Sequence, residues 1–597
     1  MQRARFIPGM RWTAWLAGSL LATLAVPTGA NAAEPPKPPD LAITYVNAPS
    51  QALVSEPVDT VVEVSELDGD TGAQATVVLT WGQPAALQVP VTVPAGGKIR
   101  VTISGAAVGR PLPTRFKATV SAASPAESDT TNNTRGDTVD VTEHELMRSD
   151  VLVADLGGYG AQFNHHVYAP ITNAPAASLP NMEAKAKALE PQLVRIFYSD
   201  NWEERRPDAP ANMASFVKTV ELAQESGATV NITYQAVNVA KAQPAASMAR
   251  FAGVLENLVE RRGFKNVRWA TVGNEPNSTL LTLDEYEALY RALDTELVKR
   301  GLRQHVRLMG GDLVEGPVGE PNDHRNWFRF MAERMNDVLD AYSVHMYWRY
   351  FDVPRMQFRL RDVHKILTEE LPAEARKPTY IMEFGVRGLD TAEGKPTLRF
   401  AYWDDGTELR RTNVAAFQQL WFFLESAQLG YTGAAKWDAY WGMYDLSSQG
   451  NQVYWMTGTA QEGWPLFPTY HASRLLFQTT RPGSEVVRVA PWADDDWRVE
   501  VPDQPEKELV AFADPRGPLT VMGLDTRGQL LNTAAEESPY YSIGGLPRHT
   551  TFTLAVWNGD GTGEASTERT LRTNAIGVAR FQVPLQAAFA LTTVPVA

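Results

Sequence analysis

No cysteine occurs among the 597 residues, which excludes disulfides, thiolate metal sites, cysteine nucleophiles and a lipid anchor on cysteine. Stability therefore rests on packed cores. Histidine is scarce too: there are nine, none in a His-Glu-x-x-His spacing. No glycine-rich phosphate loop is found, so neither a metal nor a nucleotide cofactor is indicated. Basic residues are outnumbered, 55 against 69 acidic ones, and the net charge of -14 disfavours a nucleic-acid backbone or an anionic membrane as the main partner. A neutral substrate suits that balance better. Long apolar runs are also missing: nothing after the first 32 residues reaches the roughly 18 apolar residues a bilayer crossing needs, so no integral membrane segment is expected.

What is present begins with Arg3, Arg5 and Arg11, then the short apolar stretch from Trp15 to Val26, closed by Ala30-Asn31-Ala32. That is the form of a secretory leader cut near Ala32, and it predicts a secreted protein, extracellular or periplasmic. Residues 33–39 follow as a proline-rich linker. From 40 to 143 short β-type runs (Thr60 to Val64, Ala75 to Thr80, Phe116 to Val120) alternate with Gly, Pro, Asp and Asn clusters, which predicts a small β-sandwich. Its opening Asp40-Leu41-Ala42-Ile43 and its closing acidic segment Glu127 to Asn133, with paired asparagines, resemble the CARDB family of bacterial adhesion-like modules. The resemblance implies an immunoglobulin-like β-sandwich acting as a spacer or as a binding module for a cell-surface or glycan contact.

From about Leu152 β-type runs alternate with amphipathic helical patterns, the sequence form of repeated βα units. Eight candidate strands, Leu152 to Leu156, Leu193 to Tyr198, Thr229 to Tyr234, Val267 to Val272, Val306 to Met309, Ala341 to His345, Tyr380 to Glu383 and Ala434 to Trp437, predict a (β/α)8 TIM barrel over 150–480. An open mixed sheet is the alternative. One intervening helix is readable in detail: Tyr286, Leu289, Tyr290, Leu293 and Leu297 make a stripe for the barrel wall, Glu285, Glu287 and Arg291 face water, and Thr282 with Glu285 makes a capping box. Beyond a helix from Thr469 to Gln478, residues 481–597 return to β alternation and predict a C-terminal antiparallel β-sandwich, with strands near Met147 as candidates to join it. The fold class is thus multidomain, a barrel flanked by two β-sandwiches.

This placement puts Glu275 and Glu383 at the carboxyl ends of the fourth and seventh strands, the face where barrel enzymes build active sites. Two converging carboxyls suit glycoside hydrolysis, in which one protonates the leaving oxygen and the other attacks the anomeric carbon or positions water there. Three motifs, Gly273-Asn274-Glu275-Pro276, His345-Met346-Tyr347-Trp348 and Met382-Glu383-Phe384-Gly385, resemble those of the retaining β-glycosidases of clan A. The resemblance implies Glu275 as acid/base and Glu383 as nucleophile on an oligosaccharide or polysaccharide. By the same likeness Asn274 would bind the sugar 2-hydroxyl, Arg195 would keep the nucleophile ionised, and Trp437 would be the platform beneath the sugar. His345 and Tyr347 alternate on one strand and so share a face, from which one would orient Glu383 or a sugar hydroxyl. His-x-Tyr and Glu-Phe-Gly are similar to the cellulase-like members, whereas the fourth strand and the C-terminal sandwich are similar to the xylosidase-like and glucosylceramidase-like ones.

Tyr159, Trp202, Trp348, Tyr350, Trp403, Tyr440, Trp441, Tyr444 and Trp455 fall in segments expected at the barrel mouth and predict several sugar subsites. Glu203 and Asp312 also follow strands and are the alternative carboxylates. The competing functional readings are a catalytically silent carbohydrate-binding or adhesion protein, and an inverting or transglycosylating enzyme on the same scaffold.

Overall fold

The computed structural model describes residues 35–199, 209–278, 281–395, 399–442, 454–491, 507–525, 538–558, 565–585 and 587–596. The leader-like segment, Trp202, Glu203 and Tyr444 lie outside them. The chain forms two compact units, one from Met1–Ala48, Asp59–Ala106 and Arg115–Asp137, the other from Pro49–Val58, Ala107–Thr114 and Thr138–Ala597.

The first unit is all β. Leu41–Asn47 pairs antiparallel with Pro57–Glu66, and Ala73–Thr80 pairs antiparallel with both Ala86–Val93 and Pro113–Ser124. Alternate residues such as Val77 and Leu79 are buried, as a half-buried strand requires. Asn132 Nδ2 donates to Asp40 Oδ1 at 2.8 Å and so ties the end of this stretch to its start, while Asn133 Nδ2 donates to Glu127 Oε1 at 2.7 Å within the closing segment.

The second unit is built on a closed barrel of eight parallel strands. In chain order these are β1 (Gly158–Gln162), β2 (Leu193–Tyr198), β3 (Thr229–Tyr234), β4 (Val267–Val272), β5 (Arg307–Leu313), β6 (Ala341–Arg349), β7 (Thr379–Arg387) and β8 (Gly433–Lys436). Seven expected strands coincide with or overlap observed ones. The first does not: β1 begins beyond Leu156, while Leu152 and Val153 end the strand His144–Val153 of a different sheet. The reason is steric. A Cβ on Gly160 would lie 1.7 Å from the carbonyl oxygen of Leu193, so β1 must be glycine-rich where it approaches β2, and the apolar run just before it looks more strand-like.

The helix Leu283–Lys299 starts at the expected capping box, Thr282 accepting from the Glu285 backbone N–H and Glu285 from that of Thr282. Glu287 departs from expectation by being buried, held between Arg291 at 2.8 Å and Arg334 at 2.7 Å. The last long barrel helix, Asn413–Gln428, is buried around its whole circumference from Val414 onward, as is expected of a helix covered on both sides. Its outer cover is a nine-stranded sheet that holds the C-terminal strands and, as its seventh member, His144–Val153. That strand pairs antiparallel with Glu485–Ala490 and parallel with Tyr540–Gly544, so the sheet is not purely antiparallel. Among the described residues no helix is long and apolar enough to cross a membrane.

Candidate active site

Side chains from β1, β3, β5 and β7 and from the segment after β4 converge on one guanidinium carried by β2. Arg195, on β2, is completely buried, a state that is tolerable only if all its N–H groups find acceptors. They do. Nε donates to Thr233 Oγ1 at 3.1 Å, Nη1 to Gln162 Oε1 at 3.0 Å and Glu383 Oε2 at 2.7 Å, and Nη2 to Asn274 Oδ1 at 2.7 Å and Asp312 Oδ2 at 2.6 Å.

Glu383 lies on β7 and accepts from Tyr347 Oη at 2.6 Å through its other oxygen. Both carboxylate oxygens are therefore fixed by strand-borne side chains. Glu275 follows β4 in a left-handed backbone conformation, φ 51°, after Gly273 at φ 96°. Such a bend is uncommon for a non-glycine residue and typical of functional loops. His345 Nδ1 lies 3.2 Å from Glu275 Oε1 and 3.7 Å from Glu383 Oε2, and its Nε2 is 3.5 Å from Asp312 Oδ1. The imidazole thus stands between the two glutamates, whose nearest ligand atoms lie within 4.8 Å of one another and of the ring. That spacing would also suit a cation, but Arg195 and Tyr347 already engage both oxygens of Glu383.

The electrostatics follow from this packing. Burial disfavours a charge on His345, but the carboxylates of Glu383 and Asp312 outweigh it and raise the imidazole to about 9, with Arg195 opposing. Burial pushes the Glu275 carboxyl up, yet the hydrogen bond and charge of His345, together with Arg195, leave it below the ordinary range. At neutral pH these effects favour the proton on His345 over one on Glu275. Asp312 is held far below the usual carboxylate range: burial raises it, while Arg195, His345 and Ser343 prevail.

Of the residues singled out in the sequence, Arg195, Asn274, Glu275, His345, Tyr347 and Glu383 meet in one network. Trp437 ends β8 beside it, its ring 5.6 Å from that of Phe197 in a cluster with Tyr347 and Tyr454. Asp312, considered only as a substitute catalyst, is instead the buried anchor of Arg195 and His345, and Ser343 fixes it at 2.7 Å. Its signal was the Gly310-Gly311-Asp312 run that continues β5. Gln162 and Ser343 gave none. The aromatic subsites fare poorly. Tyr159 packs on the barrel's outer side against Phe423 and Phe512, and Trp348 stacks on Phe422. Tyr350, Tyr440, Trp441 and Trp455 are buried, while Trp403 is half-buried against Tyr350.

No family model matches the chain, and no curated protein does. The fold, however, is that of known glycosidases. A glucosidase from Croceicoccus marinus matches with a TM-score of 0.51 at 14% identity, over 76% of this chain and 99% of that one. The α-L-arabinofuranosidase of Thermotoga maritima matches with a TM-score of 0.51 at 15% identity, over 75% and 99%. The catalytic domain of a GH30 xylanase C from Talaromyces cellulolyticus gives 0.50 at 11%, over 75% and 99%.

Proposed function

We propose that the chain is a glycoside hydrolase that cleaves β-O-glycosidic bonds of a glycan with retention, Glu383 acting as nucleophile and Glu275 as acid/base. The observation that carries this reading is the approach of the two strand-end glutamates to within 4.8 Å, close to the roughly 5 to 5.5 Å of retaining pairs and short of the roughly 6.5 to 9.5 Å that inverting pairs need for an intervening water. The barrel it shares with known glycosidases agrees with it.

In the first step a Glu383 oxygen forms a bond to the anomeric carbon as the bond to the leaving oxygen breaks, and Glu275 supplies the proton that oxygen takes up. Arg195 and Tyr347 donate to the two oxygens of Glu383 and keep it aimed. Substrate displaces water from Glu275 and strengthens the burial effect that favours its protonated form, so the proton shared with His345 moves to the acid. In the second step Glu275, now a carboxylate, takes a proton from water as that water attacks the anomeric carbon and releases Glu383. Asn274, held by Arg195 at 2.7 Å, would bind the 2-hydroxyl, and Trp437 would underlie the ring. The leader-like Met1 to Ala32 supports action outside the cytoplasm.

The test is a screen of aryl β-glycosides and polysaccharides with the wild type beside Glu383→Gln and Glu275→Ala. We expect retained anomers, a loss of about a thousandfold or more in each variant, and azide rescue of Glu275→Ala on an activated aryl glycoside. Inverted product would overturn the retaining assignment. Tight glycan binding without turnover by the wild type would make the protein a binder.

A further inference from the structure

Among the described residues, three arginines gather on one ring beside the barrel mouth without an ion-pair partner. Along β6 the residues His345, Tyr347 and Arg349 share one face, and along β7 so do Glu383, Gly385 and Arg387. Arg349 and Arg387 are register partners at the ends of the two strands that carry the site. The Arg387 guanidinium folds back over the Tyr347 ring at 4.4 Å, and Tyr347 is the residue whose hydroxyl touches Glu383. Phe400 gathers three guanidiniums, those of Arg387 at 4.7 Å, Arg399 at 5.0 Å and Arg349 at 5.4 Å.

Neighbouring cations on this rim are matched. Arg355 and Arg359 share Glu315, and Arg410 and Arg411 share Glu408. Among the described residues no carboxylate lies within ion-pair distance of Arg349, Arg387 or Arg399, and Arg387 Nε is buried without a hydrogen-bond partner. Arg349 has only the Gly388 carbonyl, at 3.2 Å. In a chain with 14 more acidic than basic residues, a cationic cluster one tyrosine ring from the reacting carboxylate runs against the overall charge. Cation–π stacking and, for Arg387, a hydrogen bond with the Tyr454 side chain orient the guanidiniums without neutralising their charge. A guanidinium fork left with free donors matches an oxyanion in two-point hydrogen bonding.

We propose that this site selects glycans bearing an anionic substituent, a uronate carboxylate or a sulfate ester, on the sugar at or next to the cleavage point, with Arg387 and Arg349 as its readers. The proposal rests on the glycosidase reading and refines it, replacing the neutral substrate that the overall charge favours.

Matched substrate pairs separate the possibilities: 4-nitrophenyl β-glucuronide against the β-glucoside, and a 6-sulfated aryl β-glucoside against its unsulfated parent. Wild type should favour the charged member of one pair by about tenfold or more in kcat/KM, and which pair responds distinguishes carboxylate from sulfate. Arg387→Gln and Arg349→Gln should each collapse that ratio, Arg387→Lys should keep part of it, and unfolding temperatures should confirm that all three are folded. A wild-type ratio at or below one overturns the proposal, as does an equal loss on both members in the variants. If nothing is turned over, galacturonan and sulfated-galactan fragments are tested against neutral galactan by affinity electrophoresis. Acidic-glycan binding that Arg387→Gln abolishes then upholds the anion site while the hydrolase reading falls, and absence of binding removes both.

Discussion

Arg195 joins Asp312 to Glu383: one buried guanidinium donates to a carboxylate from β5 at 2.6 Å and to one from β7 at 2.7 Å. The pair of bonds makes the electrostatics of the site a property of the barrel, since three strands must be in place before all three charges are engaged. Removing one partner strands the others in a dry interior, and breaking a buried pair in that way costs about 3–5 kcal/mol.

Asp312→Ala should therefore lower stability by about 3–5 kcal/mol, read as the shift of a urea unfolding midpoint at neutral pH. Asp312→Asn keeps the shape and a hydrogen-bond acceptor and should lose less. Equal stability of wild type and Asp312→Ala would show that the charges are not interdependent.

Tyr347→Phe deletes the hydroxyl that donates to Glu383 at 2.6 Å and leaves the ring beneath Arg387. Hydrogen bonds to charged groups contribute about 1.5–3 kcal/mol. A fall of about ten- to a hundredfold in kcat with KM nearly constant is expected on whichever aryl glycoside is turned over. A change confined to KM would instead make Tyr347 a contributor to binding.

His345 supplies the pH dependence. Its folded value, raised to about 9 from 6.5, means that the folded state holds a proton the unfolded chain has released. The stability this provides is fully present below about 6.5 and disappears as pH rises through about 9. Wild type should accordingly lose more unfolding temperature across that window than His345→Asn. Parallel profiles would place the proton elsewhere. Asp312 acts at the other end, its depressed value giving stability above about 3.8 that falls away only in stronger acid.

The site was legible in the sequence to the extent that strand ends are. β2, β3 and β4 carry β-branched and aromatic runs closed by polar residues, so Arg195 and the Asn274-Glu275 pair could be placed, and Glu383 followed from the apolar run before it. Asp312 was placed only as a substitute carboxylate beyond a strand, because the Gly310-Gly311 pair that precedes it reads as a strand end, whereas β5 continues through it to Leu313. The aromatics misled for a different reason. Composition reports how many rings a segment holds but not which side they face, and in a barrel wrapped by both helices and a sheet the outer wall needs rings as much as the mouth does. The proton balance lay furthest out of reach, since it depends on His345 touching three carboxylates contributed by three different strands.

The strand His144–Val153 is made before the barrel, yet its antiparallel partner, Glu485–Ala490, is made after it. While the chain is being synthesised the earlier strand must wait for its neighbour on the order of tens of seconds, the time needed for more than 300 residues at about 5–20 per second. Throughout that interval it presents an unpaired edge. A chain cut off after Thr479 would keep all eight barrel strands and the helix Pro468–Thr479 but leave the outer flank of Asn413–Gln428 bare, so shortening this protein to its barrel should yield an aggregating product rather than a smaller enzyme.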